Sequence, residues 1–298
     1  MRSMLSIIIP ALNEEKYLPL LLLSLAKQQG EEDKSSSFPS ELPKEAKGKK
    51  KTKSSSHFAV ARETKQQNFR EEYEVIVADA GSTDKTIEIA KSFGCKVVKG
   101  GLPAKGRNEG AKVAKGDLFL FTDADNVFLP KNFLNKLLTE FERKKLGVAS
   151  FPICPNSKRI DKILYGIYNN FVNLTQIPYA TNSVLVKKEI FEKVDGGFDE
   201  EIKIGEDHYF AKQAAKFGKF GFVKTEPVLT SSRRFEKEGR LKTYLKYILA
   251  GIYMFFFGPI KKPIFKYKFG HYSPSPRRGE GKEENKVLFA LKKKKNKL

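Results

Sequence analysis

The chain has 298 residues, enough to bury the core of one large α/β domain with additions. Hydrophobic residues at 40% and aromatic residues at 12% exclude a wholly disordered chain. The formal charge is +21, and much of it is concentrated: residues 261–298 hold 13 Lys and Arg against 3 Glu, a local net of +10.

The first apolar run, residues 5–10, is too short for a signal-peptide core and reads as a strand, so a cytoplasmic protein is expected. Ser6-Ile7-Ile8-Ile9 suits a strand buried on both faces of a parallel sheet. After Pro10-Ala11-Leu12-Asn13, leucines at 18, 20, 21, 22, 23 and 25 predict a helix over residues 14–29. Composition then changes. Residues 30–70 hold serine triplets, a lysine run and few large apolar side chains, and they predict a disordered insertion.

Order resumes at Glu74-Val75-Ile76-Val77-Ala78, a second strand that ends in the turn Asp79-Ala80-Gly81-Ser82. Residues 83–93 follow as a helix closed by Gly94. A short strand over 95–98 leads through Gly100-Gly101 into a helix over 103–114, with Pro103 in its first turn. A fourth strand, 117–122, ends at Asp123-Ala124-Asp125. Later segments predict helices near 131–141, 157–174, 187–194 and 206–217, and strands near 148–152 and 182–186. Residues 244–260 are strongly apolar. They are short for a membrane span of about 20 residues, so an interfacial or re-entrant helix is expected, followed by Lys261, Lys262, Lys266 and Lys268. Cys95 and Cys154 have no metal-type spacing and read as small core residues.

Strands alternating with helices predict an α/β fold, a mostly parallel sheet covered by helices on both faces. Ligands of such sheets bind beyond the C-terminal strand ends. The segments 11–14, 79–84 and 123–126 all fall on that edge. Asp123 and Asp125 place two carboxylates there, a natural partner for a hard cation such as Mg²⁺ or Mn²⁺ that also holds phosphate oxygens. Asp-x-Asp alone is a common tripeptide that a solvated turn would also explain.

Four blocks stand in order: Ser6-Ile7-Ile8-Ile9-Pro10-Ala11-Leu12-Asn13-Glu14, Val77-Ala78-Asp79-Ala80-Gly81-Ser82-Thr83-Asp84, Gly106-Arg107-Asn108-Glu109-Gly110 and Asp123-Ala124-Asp125. With them the chain resembles the family 2 glycosyltransferases, whose nucleotide-sugar-binding fold is GT-A, over residues 3–29 and 71–235. The resemblance implies that Pro10, Ala11 and Glu14 contact the donor nucleoside and that Asp79 meets its base or ribose. Ala80 stands where many members keep a second aspartate. Arg107 matches a basic residue near the donor diphosphate, although Lys105 and Arg107 could also form a solvated helix face. Asp123 and Asp125 match the metal-binding pair, with Asp125 the direct ligand.

Glu206 and Asp207 match the acidic pair on the acceptor side, and the resemblance makes Asp207 the general base of an inverting displacement. Arg233 and Arg234 resemble a basic segment set over the donor or a lipid phosphate. The implied partners are a UDP- or GDP-sugar and a lipid-linked or saccharide acceptor at the cytoplasmic face of a membrane; nucleic acid is not expected. The implied organisation is a catalytic domain over 1–235, a membrane-associating segment over 236–270 and a disordered basic tail over 271–298. A nucleotidyltransferase, which would need a glycine-rich basic loop after the first strand, and a non-catalytic protein binding through its basic tail are the alternatives.

Overall fold

The computed structural model describes residues 4–29, 73–128, 131–202 and 204–261. The expected disordered segments at 30–70 and 271–298 lie outside the described residues, as do 262–270 of the expected membrane-associating segment.

Four parallel strands form the first half of a seven-stranded sheet: β1 (Leu5–Ala11), β2 (Tyr73–Asp79), β3 (Lys96–Lys99) and β4 (Leu118–Thr122). They stand in the order β3-β2-β1-β4. Strands β1, β2 and β4 are buried on both faces, and their apolar runs have no alternation for that reason. Three helices cross between them: α1 (Leu18–Ala26), α2 (Thr86–Ser92) and α3 (Pro103–Lys112).

Beyond β4 the sheet continues through β6 (Val148–Ser150), β8 (Ser183–Lys187) and β9 (Phe220–Phe222), in the order β4-β8-β6-β9. Here β8 runs antiparallel to both β4 and β6, so the sheet is mostly but not wholly parallel. A second sheet pairs β7 (Ile153–Pro155) and β5 (Asn126–Val127) with β10 (Val228–Thr230). The single strand expected over 148–152 therefore splits. Pro152 has no amide to give a ladder, and after it the chain enters the smaller sheet.

Helices α4 (Phe133–Arg143), α5 (Arg159–Thr175), α6 (Lys188–Phe191), α7 (Glu206–Ala214), α8 (Arg233–Glu238) and α9 (Arg240–Phe257) complete the described chain. The helix expected from residue 14 begins only at Leu18, because the Asn13, Glu14 and Glu15 amides are taken by the side chains of Ser82, Thr86 and Asp84, in the loop after β2 and the first turn of α2. No described helix is long and apolar enough to cross a membrane. Two cores lie on opposite faces of the large sheet: one under α1, α2 and α4, the other built from aromatic side chains such as Phe121, Phe198 and Phe210.

Candidate active site

Strands β1, β2 and β4 end side by side, which sets Ala11 level with Asp79 and brings Asp123 to the same edge. The loops after β1 and β2 are tied to each other. Ala80 N donates to Ala11 O at 2.9 Å, Asn13 N to Ser82 Oγ at 2.9 Å, and Glu14 N to Thr86 Oγ1 at 2.8 Å. Asn13 adopts φ +54°, an uncommon left-handed conformation, and its Oδ1 accepts the Thr83 amide at 2.8 Å.

Asp79 Oδ2 accepts the Gly81 and Ser82 amides at 2.8 and 3.0 Å, whereas its buried Oδ1 has no hydrogen-bond partner. A buried carboxylate oxygen without a donor is costly, and a ligand hydroxyl or N–H would satisfy it. Pro10 and Ala11 are the last two residues of β1, where Pro10 packs beneath α3.

Helix α3 comes close to β1 through its glycines. A Cβ on Gly106 would lie 2.9 Å from Pro10 Cβ, and one on Gly110 would lie 2.4 Å from Ile8 Cγ2. That approach buries Arg107 to 3% exposure; its Nη2 reaches Asp123 Oδ1 at 2.7 Å and its Nη1 reaches Glu206 Oε1 at 2.8 Å. The guanidinium also lies 5.2 Å from the centre of the Phe198 ring. Arg107 is therefore no solvated surface residue, while its neighbour Lys105 is exposed.

Burial raises the Asp123 pKa; Arg107 opposes this, and the charges of Asp125, Glu206 and Asp207 add to it. Burial works against the Arg107 charge, but the carboxylates of Asp123 and Glu206 outweigh it and hold the guanidinium above its ordinary value.

Asn108, in the third sequence block, has a structural role that the motif itself does not state. Its Nδ2 donates to Phe198 O at 2.8 Å and its Oδ1 accepts Phe198 N at 2.9 Å, so it pins the loop that leads towards α7. No local signal in the sequence marks this role, because its partner Phe198 lies 90 residues away.

Arg233 stands at the start of α8. Its Nη1 and Nη2 donate to Glu14 Oε2 and Oε1 at 2.8 and 2.9 Å, and its Nη2 lies 3.2 Å from Asp125 Oδ2. Ser231 Oγ donates to the same Asp125 oxygen, and the Arg233 guanidinium sits 4.9 Å from the Tyr17 ring centre. Burial raises the Glu14 pKa, Arg233 opposes this, and Asp125 and Asp123 add to the rise. Arg234 departs from this group: its Nη1 donates to Tyr247 on α9 at 3.1 Å.

Glu206 and Asp207 open α7 after Gly205, whose φ is +74°. Asp207 is 14% exposed, and its Oδ1 accepts the His208 amide at 2.9 Å. The site thus holds two ion-paired groups, Arg107 with Asp123 and Glu206, and Arg233 with Glu14 and Asp125.

No group of three or more His, Cys, Asp or Glu with metal-holding geometry exists among the described residues. Asp123 and Asp125 each commit one oxygen to an arginine. The other, Asp123 Oδ2 and Asp125 Oδ1, lies outside those pairs, and carboxylate oxygen is the donor type that a hard divalent cation takes.

Residues 59–193 match the family Glycosyl transferase family 2. The poly(ribitol-phosphate) β-N-acetylglucosaminyltransferase TarS of Staphylococcus aureus is 25% identical over 221 residues, which cover 70% of this chain and 32% of that protein. An uncharacterized glycosyltransferase of Haemophilus influenzae is 26% identical over 226 residues, covering 70% of this chain and 60% of that protein. The chain thus spans about a third of the length of TarS.

Among solved structures, S. aureus TarS 1-349 in complex with UDP-GlcNAc superposes with a TM-score of 0.52 at 22% identity, covering 77% of this chain and 58% of that one. The mannosyltransferase PcManGT of Pyrobaculum calidifontis, in complex with GDP-Man and Mn²⁺, does so with a TM-score of 0.51 at 18% identity, over 84% of this chain and 65% of that one.

Proposed function

We propose that this chain, whose residues 59–193 match Glycosyl transferase family 2 and whose fold is shared with solved glycosyltransferases, moves a sugar from a nucleoside-diphosphate sugar to an acceptor hydroxyl, with inversion. The observation that carries the reading is Arg107, one buried guanidinium that joins Asp123 at the donor strand end to Glu206 beside Asp207. Donor and acceptor groups are thereby held in one electrostatic unit.

The donor nucleoside lies against the loops after β1 and β2. The orphaned Asp79 Oδ1 accepts from its base or ribose, and the ends of Pro10 and Ala11 form the adjacent wall. Asp123 and Asp125 would hold a divalent cation, Mn²⁺ or Mg²⁺, which supplies positive charge against the leaving diphosphate. Arg233, already paired with Asp125 and Glu14, stands where its planar fork can exchange a carboxylate for a phosphate.

Asp207 Oδ takes the proton from the acceptor oxygen as that oxygen bonds to the anomeric carbon, on the face opposite the departing nucleotide. The C–O bond to the diphosphate breaks in the same displacement, so the anomeric configuration inverts. Positioning matters more here than basicity, because the hydroxyl becomes acidic only as its new bond forms. A UDP- or GDP-sugar is the proposed donor, in keeping with the ligands named for TarS and PcManGT. The acceptor is a lipid-linked or saccharide hydroxyl.

Thermal melting with UDP, GDP, CDP and dTDP, with and without Mn²⁺, tests the donor site, since a ligand of the native state raises the midpoint by mass action. One nucleotide should shift the wild type with metal and leave Asp125→Ala unmoved. Folded protein that responds to no nucleotide would overturn the reading.

A further inference from the structure

Helices α5 and α9 are joined near their first turns, and each exposes an apolar stripe. Arg240 Nε and Tyr244 Oη on α9 both donate to Asp161 on α5, at 2.8 and 2.9 Å, which fastens the pair. On α5, Ile160, Ile163, Ile167, Phe171 and Leu174 are exposed at helical spacing, with Ile167 at 62% and Leu174 at 73%. On α9 the same spacing runs through Leu241, Leu245, Ile248 and Ile252, with Leu241 at 85% and Ile248 at 59%.

Each stripe lies opposite the positions that seat its helix, the buried Val172 on α5 and the buried Thr243 and Ala250 on α9. By helical periodicity both stripes therefore face away from the domain. Scattered exposed apolar residues are ordinary, but two adjacent stripes of this length form a contiguous patch of the kind that marks an interaction surface.

Charge selects the occupant. The two helices hold a single acid, Asp161, which is buried and paired with Arg240. Arg159, Lys162 and Lys242 are exposed beside the stripes, and residues 261–298, which begin four residues beyond α9, carry 13 Lys and Arg against 3 Glu. Two copies brought face to face would oppose like charges. An anionic bilayer accepts both the apolar stripes and the cations at their edges.

We propose that the outer faces of α5 and α9 dock this protein on an anionic lipid bilayer, while the inner faces of the same two helices border the acceptor side of the active site. The placement of the acceptor side rests on the assignment of Asp207. Tyr168 on α5 is close enough to Asp207 for that carboxylate to help burial raise its pKa. On α9, Met254 lies under the residue before the acidic pair, since a Cβ on Gly205 would sit 2.8 Å from its Sδ. The same two helices would thus meet the bilayer on one side and the helix that carries Asp207 on the other.

The test is flotation of the full chain with vesicles of phosphatidylcholine, with and without phosphatidylglycerol. Three proteins are compared: the wild type, Ile163→Glu/Ile167→Glu on α5, and Leu241→Glu/Ile248→Glu on α9. The wild type should float with the anionic vesicles, and each variant should lose binding about tenfold or more while keeping its melting midpoint and its nucleotide-dependent shift. Undiminished flotation of both folded variants would overturn the proposal, as would a wild-type dimer that the variants dissociate without any vesicle binding. Asp207→Asn serves as the separate control: if it keeps transferase activity the assignment of the base fails, and its vesicle binding still reports on the face alone.

Discussion

Arg107 Nη1 donates to Glu206 Oε1 at 2.8 Å across 99 residues of chain. The partners come from α3 and α7, on opposite sides of the site, and the same guanidinium holds Asp123 at the end of β4. Its burial makes the arrangement stiff: neither carboxylate can leave without stranding a charge that has almost no contact with water.

Arg107→Lys should expose that dependence. An ammonium is one point of charge and cannot span two carboxylates as the planar fork does. Removing one partner of a buried pair costs about 3–5 kcal/mol, and the lower end applies because a third of the Asp123 side chain remains exposed. Transfer should fall by about a hundredfold as Glu206 and its neighbour lose their placement. Urea unfolding and steady-state kinetics read the two effects; a variant that matches the wild type in both would remove Arg107 from the site.

Asp207→Asn should separate chemistry from folding. The Asp207 Oδ1 contact is to the amide of the next residue, so the melting midpoint should move by no more than about 0.5 kcal/mol equivalent. Loss of a general base lowers the rate by about 10²–10⁴. The nucleotide-dependent melting shift should persist, because the donor groups are untouched. Residual activity close to the wild type would assign the base to another residue.

The fit of α3 on β1 yields a paired prediction. Gly110→Ala would place a methyl 2.4 Å from Ile8 Cγ2 in a packed interior, and overpacking of that kind costs about 1–3 kcal/mol. Gly166 on α5 offers the contrast, as beyond the adjoining backbone of its own helix no described atom lies within 4 Å of its would-be Cβ. Gly166→Ala should stabilise by up to about 1 kcal/mol through helix propensity alone. Chemical denaturation of both variants decides; equal effects at the two sites would mean that α3 does not sit as close to β1 as described.

The strand ends were legible because buried parallel strands write themselves as unbroken apolar runs, as in Ile7-Ile8-Ile9 and Leu118–Thr122. The carboxylates at those ends were legible for the same reason, since each follows its strand directly. The family match over residues 59–193 favours the glycosyltransferase reading over the nucleotidyltransferase. What could not be read was pairing across the chain. Nothing local in Arg233 or Arg234 says that the first turns into the site to hold Glu14 while the second turns out to Tyr247. Nor did residues 157–174 announce an exposed stripe, because an amphipathic pattern states that a helix has two faces and leaves open which one meets the domain.

Asp161 carries the last prediction, on the attachment of the C-terminal helix. Its side chain is fully buried and accepts from Ser157, Arg240 and Tyr244. Burial alone would raise its pKa, but these hydrogen bonds outweigh that and hold the carboxyl below its ordinary value. A depressed folded-state pKa favours the folded state wherever the unfolded carboxyl would be ionised. The contribution is therefore complete above about pH 4 to 5 and is lost as pH falls through the lower, folded-state value. Asp161→Asn removes the charge that Arg240 faces and should cost about 3 kcal/mol near neutrality. The difference between variant and wild type should shrink towards acid, where the wild-type carboxyl takes up its proton. Urea unfolding across that range checks the sign: a difference that stays constant with pH would mean the latch owes its strength to shape and neutral hydrogen bonds and not to the Asp161 charge.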